Sequence, residues 1–325
     1  MRVKVLGTGS FAPPRAVPNR ELEKLCDTND AWIVERTGIR QRHIADPGVP
    51  TSEIATMAAR NALEAAKVAP DEIDTLIVAT SSPDRIVPPT AVYVQKNLGC
   101  WNAGCYDLVA ACTGFAYGLS SGRAYISSGQ SKRTLVIGAE VLSKITNFSD
   151  RTTCILFGDA AGAVVLGPTE EESDILYSKM GCDGREADLI ITWAGGTAMP
   201  FTPEAIEKRL HMIHMKGREV YKFAVPKFVE IIRAALDETD LDLSEIDHFI
   251  PHQMNARMIE AVAERLGFPR EKIVINIENY GNTSAASIPV ALYESVRAGR
   301  IKRGDLILMS AMGAGITWGT VILRW

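Results

Sequence analysis

The sequence predicts an α/β protein with two buried sheets, related by internal duplication and set between helical layers. Three observations lead there. Strand and helix patterns alternate from end to end, several strands are continuous apolar runs, and the second half repeats the order of the first. A run such as Thr134–Val141 (TLVIGAEV) has no polar alternation, so both of its faces must be covered, and helices on both sides of each sheet do this. The repeat is read from matching segments. Glu72-Ile73-Asp74 and Glu245-Ile246-Asp247 each lead into a strand, and Lys132-Arg133 and Lys302-Arg303 each precede one. Ala161–Leu166 is echoed by Trp318–Leu323. One ancestral unit used twice is the economical explanation. The polar, acidic stretch Thr169–Asp174 is the natural seam, dividing the chain into residues 1–172 and 173–325.

Taken in order, Val3–Gly9 is a strand that runs into Gly7-Thr8-Gly9-Ser10-Phe11-Ala12. This formally matches a dinucleotide fingerprint, but Pro13, Pro14 and Pro18 follow. No helix can start at those glycines, and without a helix N-terminus there is no phosphate cradle. Asn19–Cys26 reads as helical, and a second helix begins around Thr28–Trp32. Thr51–Lys67 is a strong helix capped by Thr51 or Ser52. Ile73–Ser81 is a strand, Pro89–Leu98 a helix opened by proline, and Tyr106–Ala111 a short strand. Thr113–Ser127 has the small and apolar pattern of a tightly packed helix. Thr134–Val141 and Gly158–Leu166 are further buried strands, and His248–His252 is a strand of the second half.

Composition narrows the function. The 325 residues are 46% hydrophobic and 23% charged, with a net charge of −4, which is a globular chain with no general attraction to nucleic acid. No apolar run reaches the roughly 18 residues that span a bilayer. The N-terminus has strand character rather than a signal-peptide core, so the cytoplasm is the expected compartment. Six scattered cysteines form neither a disulfide framework nor a Cys-x-x-Cys pair. His211 and His214 could share a helix face but lack a third ligand, so no metal is expected.

Cys112 falls on the turn between the strand Tyr106–Ala111 and the following helix. There the helix N-terminus favours a thiolate, although a buried small residue would fit the same place. His252 ends a strand, and Gly281-Asn282-Thr283-Ser284 is a turn that the duplication pairs with the Cys112 turn. Each is ambiguous alone. Together, a thiol, an imidazole and a carboxamide make a nucleophile with two hydrogen-bonding partners. Trp32 beside Arg36, Arg40 and Arg42 suits stacking of a flat base and pairing with phosphate, or else a packed tryptophan with salt-bridged arginines. Gly118-Leu119-Ser120-Ser121-Gly122 matches the G-x-S-x-G pattern but lies inside a helix, where no nucleophile elbow can form.

The chain resembles β-ketoacyl-acyl-carrier-protein synthase III, of the thiolase-like condensing enzymes. The resemblance is carried by Asp30–Ile39 (DAWIVERTGI), Ala110-Ala111-Cys112, Pro251-His252-Gln253, Gly281–Ala286 (GNTSAA) and Gly313–Gly319. It implies a five-layered α-β-α-β-α fold, usually dimeric, and a decarboxylating Claisen condensation that starts fatty-acid chains. In this reading Cys112 takes the acyl group from an acyl-CoA, and His252 and Asn282 hold the enolate derived from malonyl-acyl-carrier protein. The oxyanion hole is formed by the backbone N–H groups of Cys112 and Ala314. Coenzyme A enters as the substrate thioester and no separate cofactor is implied. The resemblance assigns Thr28, Trp32, Arg36, Arg151, Gly217 and Asn255 to coenzyme A, and Lys222 and Arg257 to the carrier protein. Lys216, Arg218, Lys222 and Lys227 collect positive charge in one stretch, which agrees. Val87 stands where relatives place a bulkier residue at the end of the acyl pocket, implying room for a longer or branched primer. Thiolases need a second cysteine near the C-terminus, and none lies beyond Cys182.

Overall fold

A computed structural model describes all residues, Met1–Trp325. Two mixed sheets divide the chain. The first has the strand order Arg2–Phe11, Asp159–Thr169, Thr134–Val141, Thr75–Ala79, Gly104–Leu108. The second runs His248–Pro251, Leu306–Gly313, Thr317–Arg324, Asp174–Cys182. Thr75–Ala79 is parallel to both neighbours, and His248–Pro251 is parallel to Leu306–Gly313. The remaining pairs within these sheets are antiparallel.

Alternation along the strands sorts side chains into layers, because successive residues face opposite sides. Leu76 and Val78 pack outward with the helices Thr51–Ala66 and Thr90–Leu98, while Ile77 and Val136 face inward. Ile307, Met309 and Ala311 meet them from the second sheet across the helices Gly114–Ser127 and Ser287–Arg297. Leu306, Leu308 and Ile322 face the opposite side and pack on Gly217–Thr239 and Ala256–Leu266. The result is helix, sheet, helix, sheet, helix, the five layers expected. No helix is long and apolar enough to cross a membrane.

The two sheets are built to one plan. The interval separating Glu72 from Glu245 also separates Lys67 from Asp240, which end the outer helices Thr51–Ala66 and Gly217–Thr239 in the left-handed region, both with φ of 54°. It also separates Ala111 (φ 50°) from Ser284 (φ 48°), and each of these opens a short 3₁₀ turn leading into a middle-layer helix. By this register the counterpart of Cys112 is Ala285, and Asn282 lies two residues before Ser284. The two turns correspond as the sequence pairs them, with Cys112 and Asn282 three positions out of register. Both turns face the centre, but the two functional groups occupy different places in them.

Other expectations change in detail. The strand Arg2–Phe11 continues through Gly7 and Gly9, whose missing side chains admit the helix above. A Cβ on Gly7 would lie 2.3 Å from Ala66 N, and one on Gly9 2.2 Å from Ala58 O. The helix Thr51–Ala66 is not capped by its own Thr51 or Ser52. Asp84 Oδ1 accepts from Ser52 N at 2.9 Å, and the Thr51 hydroxyl donates to Ser82 O. The helix at Asn19 ends at Leu22, short of Cys26. His211 lies in a turn and His214 in a two-residue strand, so they share no helix face. No cluster of three His, Cys, Asp or Glu side chains is placed to hold a metal.

Candidate active site

Three loops bring the candidate residues together. After the strand Gly104–Leu108 the chain turns through Ala111, whose positive φ is costly for a residue with a Cβ. Thr113 and Thr317 both donate side-chain hydrogen bonds to the Ala110 carbonyl, at 2.6 and 3.2 Å, and fix the turn. Gly313 lies so close that a Cβ there would be 2.7 Å from Cys112 N. Asn282 is held by its backbone, since its N–H donates to Leu156 O at 2.8 Å and its carbonyl accepts from Gly158 N at 3.1 Å. His252 follows the strand His248–Pro251, with its N–H donating to Ser310 O at 2.8 Å.

Side-chain partners engage one end of each polar group. Ser287 Oγ lies 2.7 Å from His252 Nδ1 and also accepts from Gln253 N at 3.3 Å. With the Ser287 hydroxyl donating to Nδ1, the imidazole proton lies on Nε2. Asn282 Oδ1 accepts from Ser284 N at 2.8 Å, leaving the carboxamide NH₂ as a donor. Burial pushes His252 down to about 3, so the ring is neutral over the whole physiological range.

Cys112, His252 and Asn282 line one cavity of about 570 Å³. Its wall includes Trp32, Arg36, Arg151, Gly217 and Asn255, with apolar side chains such as Ile155, Phe223 and Met312 between. Cys112, Asn282, Ser284 and Ala314 also line a second, smaller cavity of about 130 Å³. Leu142, Ile145, Phe157, Ile191 and Ile213 supply much of its surface. These residues have no motif and were not legible in the sequence. Their only signal was that they are apolar, as is most of the core.

The Cys112 thiol behaves differently from its sequence expectation. Burial pushes it up to about 12, and the buried Glu140 carboxylate adds to the rise, while Ser284 and the Cys112 N–H oppose it. A helix N-terminus contributes at most about 2 kcal/mol, whereas a rise from 9 to about 12 corresponds to roughly 4 kcal/mol at 1.36 kcal/mol per unit. Desolvation outweighs the helix N-terminus and favours the neutral thiol over the thiolate.

At the outer end, the helix Asp30–Thr37 is capped by the Asn29 side chain and presents Trp32. The Arg36 and Arg151 guanidinium carbons each lie 5.4 Å from the indole centroid. Arg151 also pairs with Asp27 at 3.3 Å. Arg40 and Arg42 do not join this group. Arg42 is fully buried and donates to Asn19 Oδ1 and Ile155 O, while Arg40 approaches Glu278 at 4.0 Å. Asn255 caps the helix Ala256–Leu266 and donates to Arg36 O at 3.0 Å, tying two cavity walls together. Thr28 does not line the cavity, and its hydroxyl is buried without a partner.

Lys222 and Arg257 are exposed and lie outside the cavity lining. Lys227 is drawn over the Trp318 ring at 4.2 Å and pairs with Glu230, so it is not free surface charge. Val87 is 79% exposed and lines neither cavity, which corrects its placement at the end of this chain's own acyl pocket. It lies in the loop before the helix Thr90–Leu98 and points away from the core. Ala314 has no left-handed φ, so alanine is accommodated there. Ser120 sits within the helix Gly114–Ser127 and donates to Ser178 Oγ, as expected of a packing residue.

Two family models match: "3-Oxoacyl-[acyl-carrier-protein (ACP)] synthase III" over residues 106–184, and the C-terminal model of the same family over residues 236–325. A β-ketoacyl-[acyl-carrier-protein] synthase III of Desulfitobacterium hafniense is 48% identical, covering 99% of this chain and 98% of that protein. A protein of the same name from Caldanaerobacter subterraneus is also 48% identical, over 99% of this chain and 97% of that protein. Among solved structures, the 3-oxoacyl-[acyl-carrier-protein] synthase III of Aquifex aeolicus superposes with a TM-score of 0.92 at 44% identity, covering 99% of this chain and 100% of that one. The fold is therefore the thiolase-like one, and the chain belongs to the β-ketoacyl-acyl-carrier-protein synthase III family.

Proposed function

We propose that this enzyme joins an acyl-CoA primer to malonyl-acyl-carrier protein with loss of carbon dioxide, through an acyl group carried on Cys112. The observation that carries this is a single thiol facing the same cavity as two uncharged donors, His252 Nε2–H and the Asn282 carboxamide. In the first step Cys112 Sγ attacks the thioester carbonyl and coenzyme A leaves, its sulfur taking the proton that Cys112 gives up. The N–H groups of Cys112 and Ala314 bind the oxyanion. In the second step malonyl-acyl-carrier protein loses carbon dioxide, and the negative charge develops on the thioester oxygen. Neutral donors suit this, because an imidazolium would be costly to bury and would pass its proton to the enolate. The α-carbon then attacks the acyl-Cys112 carbonyl and expels the thiolate, giving the β-ketoacyl product.

The second cavity, beyond Cys112, is the proposed acyl pocket. Coenzyme A is proposed to lie along the main cavity past Gly217 and Asn255, its base stacked at Trp32 with Arg36, Arg151 and the Thr28 segment around it. Lys222 and Arg257 are proposed to meet the acidic carrier protein. The chain is divided at residues 172/173 into a half bearing Cys112 and a half bearing His252 and Asn282. A homodimer is proposed through the strand Gly104–Leu108, which has a neighbour on one side only and is followed by Val109 at 76% exposure. Ile86 and Val87, at 77% and 79%, extend the same kind of surface, and Val87 would then reach the partner's pocket. The chemistry uses no cofactor beyond the substrate thioester. Six free cysteines suit a reducing compartment, and the cytoplasm is proposed.

The test offers acetyl-, isobutyryl- and octanoyl-CoA and locates the adduct by peptide mass spectrometry. Malonyl-acyl-carrier protein is then added to convert it. An adduct on Cys112 that yields a β-ketoacyl product is expected. An adduct elsewhere, or one that malonyl-acyl-carrier protein cannot discharge, overturns the reading.

A further inference from the structure

Two thiols separated by 128 positions in sequence meet behind the wall at the outer end of the main cavity, Cys26 Sγ and Cys154 Sγ, 3.1 Å apart. Cys26 is half-buried, and Cys154 is buried. Both belong to segments that build the nucleotide end of the site. Cys26 precedes Asp27 and the helix carrying Trp32, and Cys154 follows Arg151 by one turn. The Asp27–Arg151 ion pair spans the same two segments. Four residues further on, Gly158 N donates to Asn282 O, so the Cys154 strand of chain also supports the inner end.

We propose that Cys26 and Cys154 are a reversible redox-modification site, closing to a disulfide by exchange with a low-molecular-weight disulfide and restraining the mouth of the cavity. The effect on ligand binding rests on the reading that the base of coenzyme A stacks at Trp32. The sulfurs need approach only from 3.1 Å to about 2.05 Å, a movement of roughly 1 Å. Half-buried Cys26 is the sulfur a small disulfide reaches. It attacks as the thiolate, forms a mixed disulfide and releases one small thiol. Cys154 then loses its proton and attacks Cys26 Sγ, expelling the second small thiol. The protein loses two thiols, the small disulfide is reduced to two thiols, and electrons balance. Burial, Cys26 and Asp150 raise the Cys154 thiol while Arg42 opposes them, so Cys154 does not start the exchange, and its contact with Cys26 is what brings it into the second step.

The consequence follows from the space at Trp32. A base held between the indole and a guanidinium needs two contacts of about 3.5 Å, hence about 7 Å between them. Arg151 lies 5.4 Å from the ring, so admitting a base requires it to withdraw. A bond from Cys154 to Cys26 ties the Arg151 segment to the Trp32 segment and resists that withdrawal. Oxidation therefore weakens coenzyme A binding.

The test uses the full chain carrying Cys112→Ala, which removes the one cavity thiol, treated with oxidised glutathione and titrated with coenzyme A by calorimetry. Peptide mapping is expected to show Cys26 joined to Cys154, with Kd three- to tenfold higher and restored by dithiothreitol. Adding Cys26→Ser should abolish both changes while leaving the reduced Kd unaltered. Absence of the linked peptide overturns the site, and a linked protein with unchanged Kd overturns its effect on the mouth. Trp32→Ala in reduced protein separates the two readings. If it leaves coenzyme A affinity intact, the stacking reading fails on its own. If it weakens affinity while oxidation of the linked pair does not, only the switch fails.

Discussion

The turn that leaves the first sheet and its counterpart beside the second share a backbone and differ in what they carry. Ala111 and Ser284 take the same left-handed conformation, and a 3₁₀ turn and a middle-layer helix follow each. The first turn places a thiol immediately after that residue, where the second has Ala285. The second turn carries its functional group earlier, at Asn282, where backbone bonds to Leu156 and Gly158 hold it. Their approaches differ as well. The first sheet ends in the strand Gly104–Leu108, while the matching part of the second half forms the short helix Ile277–Tyr280. Duplication thus supplied two inward-facing turns, and their divergence left a thiol on one and a carboxamide held by backbone bonds on the other. It also left Gly104–Leu108 as an edge strand with no counterpart strand in the second sheet.

The comparison breaks most completely at Cys112. Cys112→Ala makes the first turn resemble the second, and acyl-enzyme formation should vanish in mass spectra of acyl-CoA-treated protein, with condensation falling on the order of 10³-fold or more. A folded variant that still forms an adduct at the site would remove Cys112 from its role. Asn282→Ala strips the donor from the second turn. Condensation should fall about 10²–10³-fold with acyl transfer to Cys112 largely kept, as expected for one lost oxyanion-type donor. His252→Ala should behave alike. Ser287→Ala, which only frees the ring orientation, should cost less.

Protonation gives a further test. With Cys112 raised to about 12, its alkylation by neutral iodoacetamide should climb about tenfold per pH unit through pH 8–10 without levelling off. A plateau near neutrality would mean that the thiolate is already formed. The sign for stability agrees. A group raised from 9 to about 12 favours the folded state below pH 9 and loses that contribution as pH rises toward 12. His252, lowered to about 3, acts oppositely, and its contribution is full above pH 6.5 and lost as pH falls toward 3.

The sheet edge is tested by Val109→Asp, which places a charge beside the unpaired strand. Sedimentation should shift a dimer toward monomer, and an unchanged dimer would place the interface elsewhere. The smallest effect concerns the shared scaffold. Lys67→Gly and Asp240→Gly relieve the same left-handed helix end, and each should add about 0.5–1 kcal/mol to stability in denaturant melts. Clearly unequal gains would show that the two helix ends are not equivalent in energy.

Local pattern made much of this legible. Thr134–Val141 is a strand with the bounds its apolar run implied, and Cys112 lies between strand and helix as read. Helix ends were less legible. Thr51 and Ser52 look like caps, yet the oxygen accepting from Ser52 N comes from Asp84. Val87 reads as a pocket residue only by position, and the loop that bears it turns outward.

By itself the sequence determined the layered class, the duplication, and which thiol, imidazole and carboxamide were candidates, because apolar runs and turn residues act over a few neighbouring positions. Only the tertiary structure decided that burial raises the Cys112 thiol, that Ser287 sits against His252 Nδ1, that an apolar cavity continues past Cys112, and that Cys26 meets Cys154. Each of these depends on desolvation or on contacts between distant segments, and neither is encoded in any single stretch of chain.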